Sequence, residues 1–215
     1  MELKDNSQRA NWILIAFYLM LGVTVAFIVS NLMQYSLLQR VYTLAEVEAN
    51  DSRQQIIALA YYVIFILCAI FFILWFRRAY YNLQAVGVST LHTDSWAAGS
   101  WFIPILNLYR PYQIMEEIWE QTQNRINNNP HESKVIIGLW WGGWIIGGFI
   151  DRISDRIGRE NTIEAVQNST LVTIAGECLS LLTLILIIVI IRKISAWEKR
   201  LAESDREIPL EDHLL

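Results

Sequence analysis

Long uninterrupted runs of apolar residues, rather than an alternating or amphipathic period, dominate the hydrophobic pattern of this chain. Residues 12–30, 56–76, 135–150 and 171–191 contain no Lys, Arg or Asp, and Glu177 is their only charged residue. A helix rises about 1.5 Å per residue, and the hydrocarbon core of a bilayer is about 30 Å thick. Three of the four runs are therefore long enough to cross. The third covers roughly 24 Å and needs residues 151–153, with polar ends snorkelling or a locally thinned bilayer. The pattern predicts an all-α, polytopic membrane bundle with spans at about 12–30, 56–76, 135–153 and 171–191. These spans belong to a single membrane domain over residues 1–200, followed by a polar cytoplasmic tail at 201–215.

Composition agrees, with 54% hydrophobic and 18% charged residues among 215 and a mean hydropathy of +0.31, but the clustering is what decides. The order of basic residues sets the orientation, because Lys and Arg are retained on the cytoplasmic side. Of the 17 basic residues, twelve lie in the N-terminus (Lys4, Arg9), the segment 77–134 (Arg77, Arg78, Arg110, Arg125, Lys134) and the tail (Arg192, Lys193, Lys199, Arg200, Arg206). Both termini are therefore expected inside. The start of the chain lacks a basic n-region and a small-residue cleavage site, so the first span reads as retained rather than removed. Tyr61, Tyr62, Trp75 and Trp197 fall near span ends, where amphipathic rings favour the headgroup level.

The net charge of −4 comes without a basic patch, which argues against nucleic acid as a partner. Cys68 and Cys178 lie at different depths of their spans and are too few for a disulfide framework. His92, His131 and His213 are scattered, with no metal-ligand spacing, no nucleophile beside a base and no phosphate-binding glycine loop. The expectation is a protein that is not an enzyme and holds no cofactor and no metal.

Two spans carry packing signals. In the third, Gly138 and Gly142, and then Gly143 and Gly147, are four apart. Such faces let another helix approach closely, either within the chain or in a second copy or partner membrane protein. In the fourth, Thr173, Gly176, Glu177, Ser180 and Thr183 share one face, the rest being aliphatic. Glu177 is the sharpest single residue, since a carboxylate inside a span is costly and marks a functional site by default. Arg152 and Arg156 are its expected structural partners. Residues 32–48 suggest an amphipathic helix that extends the first span or lies on the outer surface.

The string WAAGSWFIPILNLYRPYQIMEEIWE, residues 96–120, behaves as neither a span nor an ordinary loop. Pro104 and Pro111 each remove a backbone donor and restrict the residue before them, so the segment predicts a broken, re-entrant or interfacial element. Arg110 is the candidate anion contact, with Glu116 and Glu117 within reach as ion-pair partners. Trp101 and Trp119 are candidate interface anchors, and Asn107 is placed to satisfy broken backbone. The segment resembles a widespread bacterial membrane domain of unknown function with a W-F-x-P-x-x-N-L-x-x-P signature. Trp101, Phe102, Pro104, Asn107, Leu108, Pro111, Tyr112 and Trp119 carry the likeness, and Arg77–Leu83 resembles the family's polar stretch ahead of it. The resemblance implies a multi-span architecture in the bacterial cytoplasmic membrane and implies no activity.

The functional expectation is a noncatalytic membrane protein that binds a lipid, peptide or partner protein through residues 101–119, with membrane lipids as its first partners. The alternative is a small transporter or channel whose polar path follows Glu177 and its face.

Overall fold

The computed structural model describes residues 2–126, 131–160 and 162–207, with side chains to Glu203. Every described regular element is helical. In chain order they are α1 (Ser7–Leu38), α2 (Leu44–Ala85), α3 (Asp94–Gly99), α4 (Arg110–Arg125), α5 (Val135–Gly158) and α6 (Ile163–Glu207). Helices α1, α2 and α6 are long and apolar enough to cross a membrane, and they carry the runs 12–30, 56–76 and 171–191. Helix α5 has 24 residues, but its tryptophans and glycines dilute its apolar character, and it does not join those three. The predicted tail falls largely outside the described residues, His213 with it.

Local signals explain the helix boundaries. Thr43 and Glu46 form a reciprocal cap on α2: the Thr43 amide donates to Glu46 Oε2 at 2.8 Å and the Glu46 amide to Thr43 Oγ1 at 3.3 Å. At the other end Gly87, at φ +83°, lets Val88 donate back to the Leu83 carbonyl at 3.3 Å, the left-handed stop that glycine permits. The Thr162 hydroxyl caps α6 by accepting from the Ala165 amide at 3.1 Å. The amphipathic helix expected over 32–48 is not a separate element. Helix α1 continues to Leu38, the chain turns, and α2 begins at Leu44.

The chain divides into two compact units, and α1, α2, α5 and α6 each contribute a segment to both. The first comprises Met1–Leu14, Ile70–Gly138 and Ile188–Leu215. Its core is made by Trp75, Phe76, Tyr80 and Leu83 of α2, Ile114, Met115, Ile118 and Trp119 of α4, and Ile190, Ile191, Ile194 and Trp197 of α6, all buried. Position near a span end predicts Trp75 and Trp197 at the headgroups; instead both rings are inside protein. Trp197 meets Trp119 edge to face at 4.7 Å. The amphipathic period of α4 has a plain cause here, since its apolar face closes this core.

The second unit comprises Ile15–Ala69 and Leu139–Ile187. The glycine signals divide here. A Cβ on Gly143 would come within 2.5 Å of Thr183 Oγ1, and one on Gly176 within 2.9 Å of Ile150 Cγ2, so both glycines admit close contact between α5 and α6. Gly142 and Gly147 have open space where a side chain would stand, as does Gly138 in the first unit. The Ser154 and Thr173 hydroxyls, 2.7 Å apart, extend the α5–α6 contact, while Thr183 donates back to the Leu179 carbonyl of its own helix at 2.9 Å.

Candidate functional site

Both prolines of the 96–120 segment act where the sequence places them. Helix α3 runs on into a 3₁₀ turn at Ser100–Phe102, and Ile103 is extended at φ −107° and ψ 114°, the conformation that a following proline imposes. A second 3₁₀ turn covers Leu106–Leu108, and α4 starts with Pro111 in its first turn, where a missing N–H costs nothing. The break is held on its N-terminal side. Arg77 Nε donates to Asp94 at 2.9 Å, and the Trp101 ring stands perpendicular to Phe72 with centroids 5.6 Å apart. Past Trp101 the apolar side chains turn outward. Phe102 is 76% exposed and Ile105 74%, with Ile103, Leu108 and Tyr109 also exposed.

Arg110 stands beside this apolar edge. Its guanidinium lies over the Trp96 ring at 4.4 Å, a cation–π contact favoured when the cation is partly desolvated. The expected pairing with Glu116 or Glu117 is absent. Glu116 and Glu120 instead hold Lys134, at 2.6 and 3.0 Å, and raise its ammonium above the ordinary lysine range. Glu117 accepts from the Tyr80 hydroxyl at 2.5 Å and from the Leu91 amide at 3.0 Å, fastening the 86–93 loop to α4. Among the described residues Arg110 has no carboxylate within ion-pair distance, and its buried Nε has no hydrogen-bond partner. Asn107 Oδ1 and Ser100 Oγ are likewise buried without one. Asn107 does not fill the role of backbone support through that oxygen.

The structure thus brings Trp101, Pro104, Asn107, Arg110, Pro111, Glu117 and Trp119 into the first unit and divides their roles. Pro104, Asn107 and Arg110 belong to the open edge. Trp119 is 1% exposed, and its Nε1 donates to the Glu132 carbonyl at 3.2 Å, so it is a core residue and not an interface anchor. Glu177 lies in the second unit, 7% exposed. Its electrostatic neighbours are Tyr61 and Asp151. Neither expected arginine pairs with it among the described residues, Arg152 lying over Phe149 instead. One carboxylate oxygen of Glu177, Oε2, is buried without a partner.

A second polar centre of the first unit escapes sequence reasoning. Glu198 accepts from Asn6 Nδ2 at 3.0 Å and from Asn82 Nδ2 at 3.0 Å. Asn82 in turn holds both backbone groups of Lys4. The residue as a whole is only part-buried, but its carboxyl end is enclosed by these amides. Glu198 lies beyond the apolar run that ends at Ile191. Burial pushes its carboxyl up to about 7, against the opposing pull of the Asn82 and Asn6 donors. The only advance signal is that Asn82 falls within the polar stretch Arg77–Leu83.

Among known families, residues 39–196 match the Domain of unknown function (DUF4328). That is most of the chain, which therefore belongs to this family. No curated protein and no solved structure matches it.

Proposed function

Taking membership of the DUF4328 family as premise, we propose that this chain is a noncatalytic, four-span protein of the bacterial cytoplasmic membrane that binds anionic lipid headgroups through residues 101–119. Both termini face the cytoplasm, α5 is the fourth span, and the proline-broken segment dips into the cytoplasmic interface. The observation that carries this reading is the open edge itself: five outward apolar side chains beside a cation with no carboxylate partner among the described residues. Apolar groups so exposed call for a covering phase, and a guanidinium at the rim of a bilayer suits a phosphate. A lipid answers both demands at once.

Arg110→Gln is expected to weaken retention of phosphatidylglycerol on the purified protein about tenfold, the size of one charge-assisted contact, measured by native mass spectrometry. The melting temperature should change little, because among the described residues the guanidinium makes no ion pair and its contact with Trp96 is worth only about 0.5–1 kcal/mol. Unchanged lipid retention with lowered thermal stability would make Arg110 structural. Unchanged retention together with a cation flux into proteoliposomes that is lost in Glu177→Gln would move the account to the polar face of α6.

A further inference from the structure

A groove of about 550 Å³ opens on the second unit beside the α1–α2 turn, lined by Val29, Leu32 and Met33 of α1 and by Arg40, Asn50 and Arg53 opposite. We propose that it holds one anionic phospholipid, its phosphate on the Arg53 guanidinium and its apolar part against α1.

The donor accounting for Arg53 leaves room for an anion. Nε donates to Ser30 Oγ at 3.0 Å, and Nη2 to the Ser30 carbonyl at 3.3 Å and to Asn50 Oδ1 at 2.5 Å. These three bonds fix the planar head, and all three acceptors are neutral. Among the described residues, Nη1 donates to nothing and no carboxylate lies within ion-pair distance of Arg53. The other charged lining residues pair with each other, and Asp51 lies outside the lining. Arg40 pairs with Glu46 at 2.6 Å and holds that carboxyl down to about 2, and exposed Asp51 accepts from Asn50 at 3.3 Å. The charged lining residues Arg40, Glu46 and Arg53 therefore sum to one uncompensated cation, with the two N–H groups of Nη1 free to meet a phosphate oxygen.

The setting is held firmly enough to recognise a ligand. Ser30 Oγ donates to Gln54 at 3.0 Å, Gln54 and Asn50 both donate to Gln34 Oε1, at 2.9 and 3.1 Å, and Gln34 donates to Thr170 at 2.9 Å. This network ties α1, α2 and α6 together behind the guanidinium. Its depth selects the occupant. Ser30 ends one apolar run and Arg53 stands three residues before the next, so the guanidinium sits where apolar chain gives way to polar. In a bilayer that level belongs to the phosphates. Val29, Leu32 and Met33, each about half exposed, supply the wall for the lipid's apolar part.

The site is independent of residues 101–119, and its test is made on the full chain in the Arg110→Gln background, so that failure of either reading leaves the other intact. Purified protein in dodecyl maltoside is titrated with dioleoyl-phosphatidylglycerol and, separately, dioleoyl-phosphatidylcholine, and bound lipid is counted by native mass spectrometry. One phosphatidylglycerol is expected to bind in preference to phosphatidylcholine, and Arg53→Gln should weaken it about tenfold. Met33→Trp, which fills the groove and leaves the guanidinium network untouched, should weaken it too and carries the test if Arg53→Gln does not fold. Undiminished binding in these variants, equal retention of phosphatidylcholine, or displacement by inorganic phosphate would overturn the proposal.

Discussion

Trp119→Ala is expected to lower the unfolding free energy by about 3–5 kcal/mol, the range for removing a large aromatic ring from a packed interior. The ring is 1% exposed among Ile114, Met115 and Ile118, and it makes the edge-to-face contact with Trp197 at 4.7 Å. Its truncation leaves a cavity between α4 and α6 and a Glu132 carbonyl without its donor. Trp119→Phe restores most of the packing but not the N–H, so it should lose about 1–3 kcal/mol. Thermal or denaturant unfolding in detergent micelles reads both. A loss under about 1 kcal/mol for alanine would return Trp119 to the lipid interface and remove α4 from the core.

The second large effect is a dependence of stability on pH set by Glu198. Its folded carboxyl titrates at about 7 against an ordinary 4.5, so the native state holds a proton that the unfolded chain has released. The stabilisation is therefore complete below about pH 4.5, declines as pH rises through 7, and is absent above it. The full difference is about 3 kcal/mol. Within that window Glu198→Gln should flatten the profile, because glutamine keeps the shape without the titration. Asn6 Oδ1 is buried without a partner, and a turned Asn6 amide would offer an acceptor to the protonated carboxyl. Unfolding of wild type and Glu198→Gln at pH 5 and pH 8 gives the comparison. An equal drop in both would assign the pH dependence elsewhere.

The bundle was legible in the sequence because in lipid the apolar run is itself the element, and no partner strand or distant contact is needed to form it. The break at 101–111 was legible for a similarly local reason: a proline constrains its own neighbours. Helix α5 shows the limit, since tryptophan and glycine weaken the apolar average without shortening the helix. Trp75, Trp119 and Trp197 show another, because hydrophobicity does not distinguish a ring that faces lipid from one that faces protein. Arg110 had two carboxylates one to two turns away and took an aromatic ring instead, as Lys134 and Tyr80 claimed both. Asn6 and Glu198 meet across 192 residues of chain, and nothing local to either announces the other.

The central claim is that the edge at Phe102–Tyr109 enters the bilayer. It is tested most directly by spin-label depth in reconstituted protein, with Ile105→Cys labelled in a background lacking Cys68 and Cys178. Labels at Val63, inside an apolar run, and at Leu91, in the α2–α3 loop and also exposed, give the buried and aqueous references. Collision with oxygen in preference to a water-soluble nickel chelate, as at Val63, is the predicted result. Collision with the chelate at the level of Leu91 would contradict the account and leave the edge facing water.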